Sequence, residues 1–142
     1  MRKMRVLSKK DKSYFRAAQA VSTLSDFKRV NVGAVLVYKH RIISSSCNSQ
    51  RTHPLQQKLN KERFEEETPA KLHAEVSCLI PLLGNKDIKW RDCELYVYRE
   101  YKRGGLAMSR PCPSCQKLIK ELGIKTVHYT TNGGYATEEF EI

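Results

Sequence analysis

Four residues of this chain have types and spacings suited to hydrolytic chemistry. His73 and Glu75 stand two apart in "KLHAEVSCLI", residues 71–80, and Cys112 and Cys115 stand three apart in "SRPCPSCQKL", residues 109–118. Each pair opens an apolar stretch, so each falls where a helix begins. The turn at Pro113-Ser114 folds the two sulfurs toward one point, and a helix N-terminus favours thiolates over thiols. His73, from a different helix, supplies a third ligand. Zinc takes four tetrahedral ligands from Cys, His and carboxylate, and a catalytic site keeps one position for water. Residues two apart point in different directions on a helix, so Glu75 is expected beside that water rather than on the metal. A carboxylate there takes a proton from the water and returns protons to a ring nitrogen and a leaving amine.

Each of these residues has a plainer reading. Glu75 alone would be an ordinary acid in a helix first turn. The cysteine pair alone would be a structural zinc site or a buried pair. Two Cys, one His and a spare carboxylate together argue for catalytic zinc. Cys47, Cys78 and Cys93 fall in strands or on a buried helix face and are not assigned to the metal. Five cysteines and no export signal argue against a disulfide framework. His53 reads as a loop residue and Tyr129 as core.

The elements that must position these residues follow from pattern. Residues 11–25 carry apolar groups near helical spacing, with Asp11 or Ser13 as candidate cap. Residues 30–38 and 41–47 are two β-rich runs joined tightly at Lys39-His40, an antiparallel hairpin. Residues 49–71 form a charged insert in which two prolines bracket a short helix. A helix is expected over 72–83, a strand from Cys93, a helix over 113–122 stopped by Gly123, and a strand over 124–131. The tail after it adds an edge strand. This order predicts an α/β fold, a three-layer α-β-α sandwich around a mixed central sheet of about five strands.

Bulk properties agree with one domain over residues 1–142, comprising a basic segment at 1–10 and the 49–71 insert. No apolar run approaches the roughly 20 residues that span a bilayer, and no apolar h-region follows the basic N-terminus. No membrane association and a cytoplasmic location are therefore expected. The formal net charge is +11, and seven basic residues between Arg2 and Arg16 meet one acid, Asp11. Such charge attracts polyanions, serves solubility, or draws in a small phosphorylated substrate, and by itself does not choose among them.

"HAE" followed by "PCPSC" is similar to the H-x-E…P-C-x-x-C signature of the zinc-dependent cytidine and deoxycytidylate deaminase superfamily. "VGAVLV" at 32–37 looks like that family's first sheet strand, and "LGIKTVHY" after the cysteines resembles its exit from the third helix into the next strand. The likeness covers about residues 11–131 and implies a cytidine deaminase-like fold, Zn2+ on His73, Cys112 and Cys115, and Glu75 as the catalytic proton shuttle. It also implies that Asn48 contacts the substrate sugar and that the backbone N–H of Ala74 faces the base. Arg110, just before the motif, meets a substrate phosphate or is solvated. The insert is longer than in tRNA adenosine deaminases and the 102–110 link is long, so the resemblance assigns the chemistry and leaves the substrate open.

The leading expectation is hydrolysis of a cytosine nucleotide of dCMP type to its uracil form with release of ammonia. The same chemistry on cytosine or adenine in single-stranded DNA or RNA is an alternative, motivated by the positive charge. A non-catalytic, zinc-stabilised nucleic-acid-binding module is an alternative of another class. The resemblance also admits a homo-oligomer.

Overall fold

The computed structural model describes residues 2–3, 7–26, 30–64 and 71–140. Five strands of six or seven residues make the body of one sheet: β2 (Val32–Tyr38), β3 (Arg41–Cys47), β6 (Glu94–Arg99), β7 (Thr126–Thr131) and β8 (Gly134–Glu139). A two-residue strand, β1 (Arg2–Lys3), adds to its border. The order is β1-β8-β7-β6-β2-β3. Only β6 and β7 run parallel, so the sheet is mixed as expected. The tail strand β8 is paired on both sides and is therefore not the edge; β1 covers it. Two short strands of the insert region, β4 (Ser49–Thr52) and β5 (Lys71–Leu72), pair separately. Of the expected basic segment at 1–10, residues 1 and 4–6 lie outside the described residues, as do 65–70 of the insert.

Alternation along the central strands explains the layers. Ala34 and Leu36 of β2, Leu95 and Val97 of β6, and Val127 and Tyr129 of β7 face one side. There they pack with α3 (Ala74–Leu79) and α4 (Pro113–Leu122), through Val76, Leu79, Leu118 and Ile119. The intervening Val35, Val37, Tyr96 and Tyr98 face the other side and pack with Phe15 and Ala18 of α1 (Lys9–Ser22). A strand with both faces apolar must be covered twice, and helices on both faces do so. Phe15 meets the Tyr96 ring edge-on with centroids 5.2 Å apart, and the Tyr96 hydroxyl donates to buried Asp11 at 2.6 Å. The cap of α1 is Ser8, with Asp11 as the reciprocal partner of a capping box, one turn earlier than the pattern suggests.

Helix α3 is shorter than the expected 72–83. Pro81 has no N–H to give the Ser77 carbonyl, so regular helix ends at Leu79 and a 3₁₀ turn, Ile80–Leu82, completes the segment. Gly123 closes α4 in the left-handed conformation (φ 95°), accepting the role expected of it. Gly33 has a different task. A Cβ there would lie 1.9 Å from the Ala18 carbonyl oxygen, so β2 and the α1 backbone touch directly. Gly33→Ala should therefore lower stability by about 3 kcal/mol, read from the midpoint of urea unfolding.

Candidate active site

The chemistry-bearing residues gather beyond the carboxyl ends of the parallel pair β6 and β7, where open α/β sheets place their crevices. Cys112 is the N-cap of α4 and Cys115 lies in its first turn. Pro113 at the first helical position starts the helix without wasting an N–H. The turn is braced by Gln116, whose side-chain amide donates to the Pro111 carbonyl at 2.8 Å. His73 is the N-cap of α3, in extended conformation (φ −80°, ψ 153°), because its chain arrives from strand β5. Its Nδ1 stands 3.3 Å from Cys115 Sγ and 3.6 Å from Cys112 Sγ.

These donors fit a zinc ion. Ideal Zn–N and Zn–S bonds at tetrahedral angles put nitrogen and sulfur about 3.6 Å apart. The three ligand atoms lie within 4.8 Å of one another, the one such cluster among the described residues. The Cys112 thiol is pulled down to about 4, first by the hydrogen bond from Cys115 and then, against burial, by His73. Cys115, the hydrogen-bond donor of the pair and buried, is held well above the ordinary thiol range. Burial pushes His73 toward neutrality, but Cys112 and Glu75 outweigh it and its net shift is upward. Anionic neighbours that favour a positive charge at one point are what a cation site requires.

Glu75 sits two residues into α3, buried at 6% exposure, and lines the same pocket. Burial raises its carboxyl above the ordinary range, with His73 pulling the other way. Helix α3 itself is pinned to β3: Ser44 donates to the Cys78 carbonyl at 2.6 Å, and the Ser46 and Ser77 hydroxyls are hydrogen-bonded to each other. Cys78 is fully buried, and Cys47 and Cys93 lie apart from the cluster, as expected. His53, at the mouth of helix α2 (Pro54–Phe64), accepts from the Leu55 N–H at 3.1 Å and so acts as a local cap.

The pocket has a volume of about 310 Å³, and Asn48, Ala74 and Arg110 all line it. Asn48 follows β3 and also does structural work: its Oδ1 accepts from Val32 N–H at 3.0 Å and its Nδ2 donates to the Val30 carbonyl at 2.8 Å. One N–H and one lone pair of the amide remain for a ligand. Arg110 pairs with a carboxylate. Its Nε and Nη2 each reach Glu138 on β8 at 2.8 Å, a bidentate pair. Sequence gave no hint of this partner, 28 residues away.

Two residues at the site escape a reading of motifs. Arg99, the last residue of β6, forms part of the pocket wall. Gln56, on α2 and fully buried, accepts from the His73 backbone N–H at 3.2 Å and donates to Asn60 at 3.0 Å. The insert therefore supports the metal-binding turn. A buried glutamine within "PLQQKLNKERF" carries no signal that separates it from its exposed neighbours. Gln56→Ala leaves a buried donor unpaired and should cost about 2 kcal/mol in thermal or urea unfolding. Loosening the backbone behind His73 should also weaken zinc by about tenfold, measured by chelator competition.

Three donors for one zinc, a buried acid beside them and a pocket at the sheet's carboxyl end define the site of a zinc-dependent hydrolytic enzyme. Comparisons with known proteins agree. Residues 8–131 match the family described as the cytidine and deoxycytidylate deaminase zinc-binding region, and the chain belongs to that family. A relative, an uncharacterized deaminase in the luxG 3′ region of Aliivibrio fischeri, is 27% identical over 123 residues, 87% of this chain and 74% of its own length. The dCMP deaminase of cyanophage S-TIM5 is similar in structure with a TM-score of 0.59 and 25% identity, over 87% of this chain and 84% of its own. The cytidine deaminase of Burkholderia pseudomallei shares the fold, with a TM-score of 0.60 and 20% identity over 94% of this chain and 93% of its own. Family membership sets aside the non-catalytic module. Among the described residues no helix is long and apolar enough to cross a membrane.

Proposed function

We propose that this deaminase acts on a free cytosine nucleotide of dCMP type, giving the uracil nucleotide and ammonia. The observation that carries the reading is the buried Glu75 carboxylate in the same small pocket as His73 and Cys112. A volume of about 310 Å³ is at the small end of ligand cavities, suited to one nucleotide. The likeness to a phage dCMP deaminase supports the same substrate class.

In this reading His73, Cys112 and Cys115 hold the zinc. A zinc ion held there would supply Lewis acidity, lowering the pKa of a water and favouring negative charge that develops on oxygen. Glu75 takes the proton from the attacking water, passes a proton to the ring nitrogen, and delivers another to the departing amine. Water adds and ammonia leaves, so atoms balance with no other reactant. Burial suits Glu75 to both directions of transfer, because it brings a carboxyl nearer to working pH. Asn48 offers its remaining N–H and lone pair to the sugar, and the Ala74 N–H at the start of α3 faces the base. Arg110, locked to Glu138, braces the rim.

The test is a substrate panel of dCMP, deoxycytidine and cytidine with zinc-loaded protein, following loss of cytosine absorbance and release of ammonia. Turnover of dCMP above the nucleosides is expected. No turnover of any of the three overturns the reading. The net charge of +11 gives the polynucleotide alternative its motive. Editing of a single-stranded oligonucleotide with steep salt dependence, in place of mononucleotide turnover, would establish it instead.

A further inference from the structure

We propose that Arg99, rather than Arg110, is the specificity-determining cation that binds the 5′-phosphomonoester of the substrate; the inference rests on the mononucleotide reading above. Among the described residues two arginines line the pocket. The fork of Arg110 is filled by the Glu138 carboxylate, with both contacts at 2.8 Å, so its charge is already compensated. Arg99 has no carboxylate partner among the described residues. Its one side-chain hydrogen bond is long, from Nη1 to the Met108 carbonyl at 3.4 Å. Its Nε is buried with no hydrogen-bond partner among the described residues.

A partly dry guanidinium without a counter-ion is costly, and buried donors in folded proteins are nearly always paired. An anion on the pocket side supplies the missing counter-charge, and it would meet the other N–H groups of the guanidinium, because Nε itself is shut off from the pocket. The guanidinium is planar and presents parallel N–H groups, the geometry that phosphate oxygens accept.

Arg99 is also held in place at its backbone. Its backbone N–H donates to Thr130 Oγ1 at 3.1 Å, and its carbonyl accepts from the Ala107 N–H at 3.0 Å. Thr130 is itself fixed by hydrogen bonds to Ala107 and Ser109 at 2.6 and 2.8 Å. Thr130 of β7 and the loop at Ala107 thus fix the backbone from which the Arg99 side chain projects toward the pocket, which lowers the ordering left to do on binding. The same loop returns through Ser109 to Arg110 and Cys112, so the proposed phosphate site and the metal ligands share one short stretch of chain.

The experiment measures kcat/KM for dCMP and for deoxycytidine in the wild type, Arg99→Gln and Arg99→Lys. The wild type should prefer dCMP. In Arg99→Gln the dCMP-to-deoxycytidine preference should fall roughly 10–100-fold, mainly through KM for dCMP. Arg99→Lys, which keeps the charge and loses the fork, should restore part of it and carries the test if the glutamine variant does not fold. A preference unchanged in both variants overturns the assignment while leaving the deaminase reading intact. Equal wild-type use of dCMP and deoxycytidine also overturns it. If the wild type turns over neither compound, the mononucleotide reading fails, and calorimetric binding judges Arg99 separately. Selective loss of dCMP binding in Arg99→Gln supports the assignment; equal loss or no loss for dCMP and deoxycytidine overturns it.

Discussion

Replacing Glu75 by glutamine should reduce turnover by about 10²- to 10⁴-fold while each chain keeps its zinc. The amide has nearly the shape of the carboxyl group and fills the same buried space, but it accepts no proton at working pH. Every proton movement assigned to this site passes through that one side chain. The three donors for the metal lie on other side chains, with Nδ1 of His73 within 3.6 Å of both sulfurs. Helix α3 should keep its position, because Ser44 and Ser77 tie it to β3 independently of residue 75. Elemental analysis and steady-state kinetics on the same preparation make the check. Loss of zinc together with activity would move Glu75 from proton transfer to metal binding, and retained activity would remove its assigned role.

Removing a metal ligand should have the larger structural consequence. In Cys112→Ser the group most strongly inclined to be a thiolate is replaced by a hydroxyl that stays protonated at neutral pH. Zinc content should fall well below one per chain, and turnover should fall to background. The melting temperature should drop by roughly 10 °C when compared with zinc-saturated wild type, from the loss of about 4 kcal/mol of ligand stabilisation at a thousandfold excess over Kd. His73→Ala should lose zinc likewise. A chelator should produce the same state in the wild type, and added zinc should reverse it there but not in Cys112→Ser. Full activity of either variant at saturating zinc would show that the three donors are not the metal site.

Much of this molecule is legible along the chain because its signals are local. The H-x-E and P-C-x-x-C pairs occupy helix starts whose geometry depends on a few adjacent residues, and Pro113 and Gly123 bound α4 where the pattern puts them. Unbroken apolar runs at 32–37 and 95–98 announce strands buried on both faces, and two buried faces require helices above and below. Other features depend on partners brought together only by folding. Gln56 meets His73 across 17 residues, and Arg110 meets Glu138 across 28. That Arg110 finds a carboxylate follows from where β8 lies, and no local pattern encodes that. The division has a simple physical basis. Backbone conformation and amphipathic spacing are set by neighbours in sequence, whereas hydrogen-bond and charge pairing among long side chains is set by whatever the packed sheet and helices bring within about 3 Å.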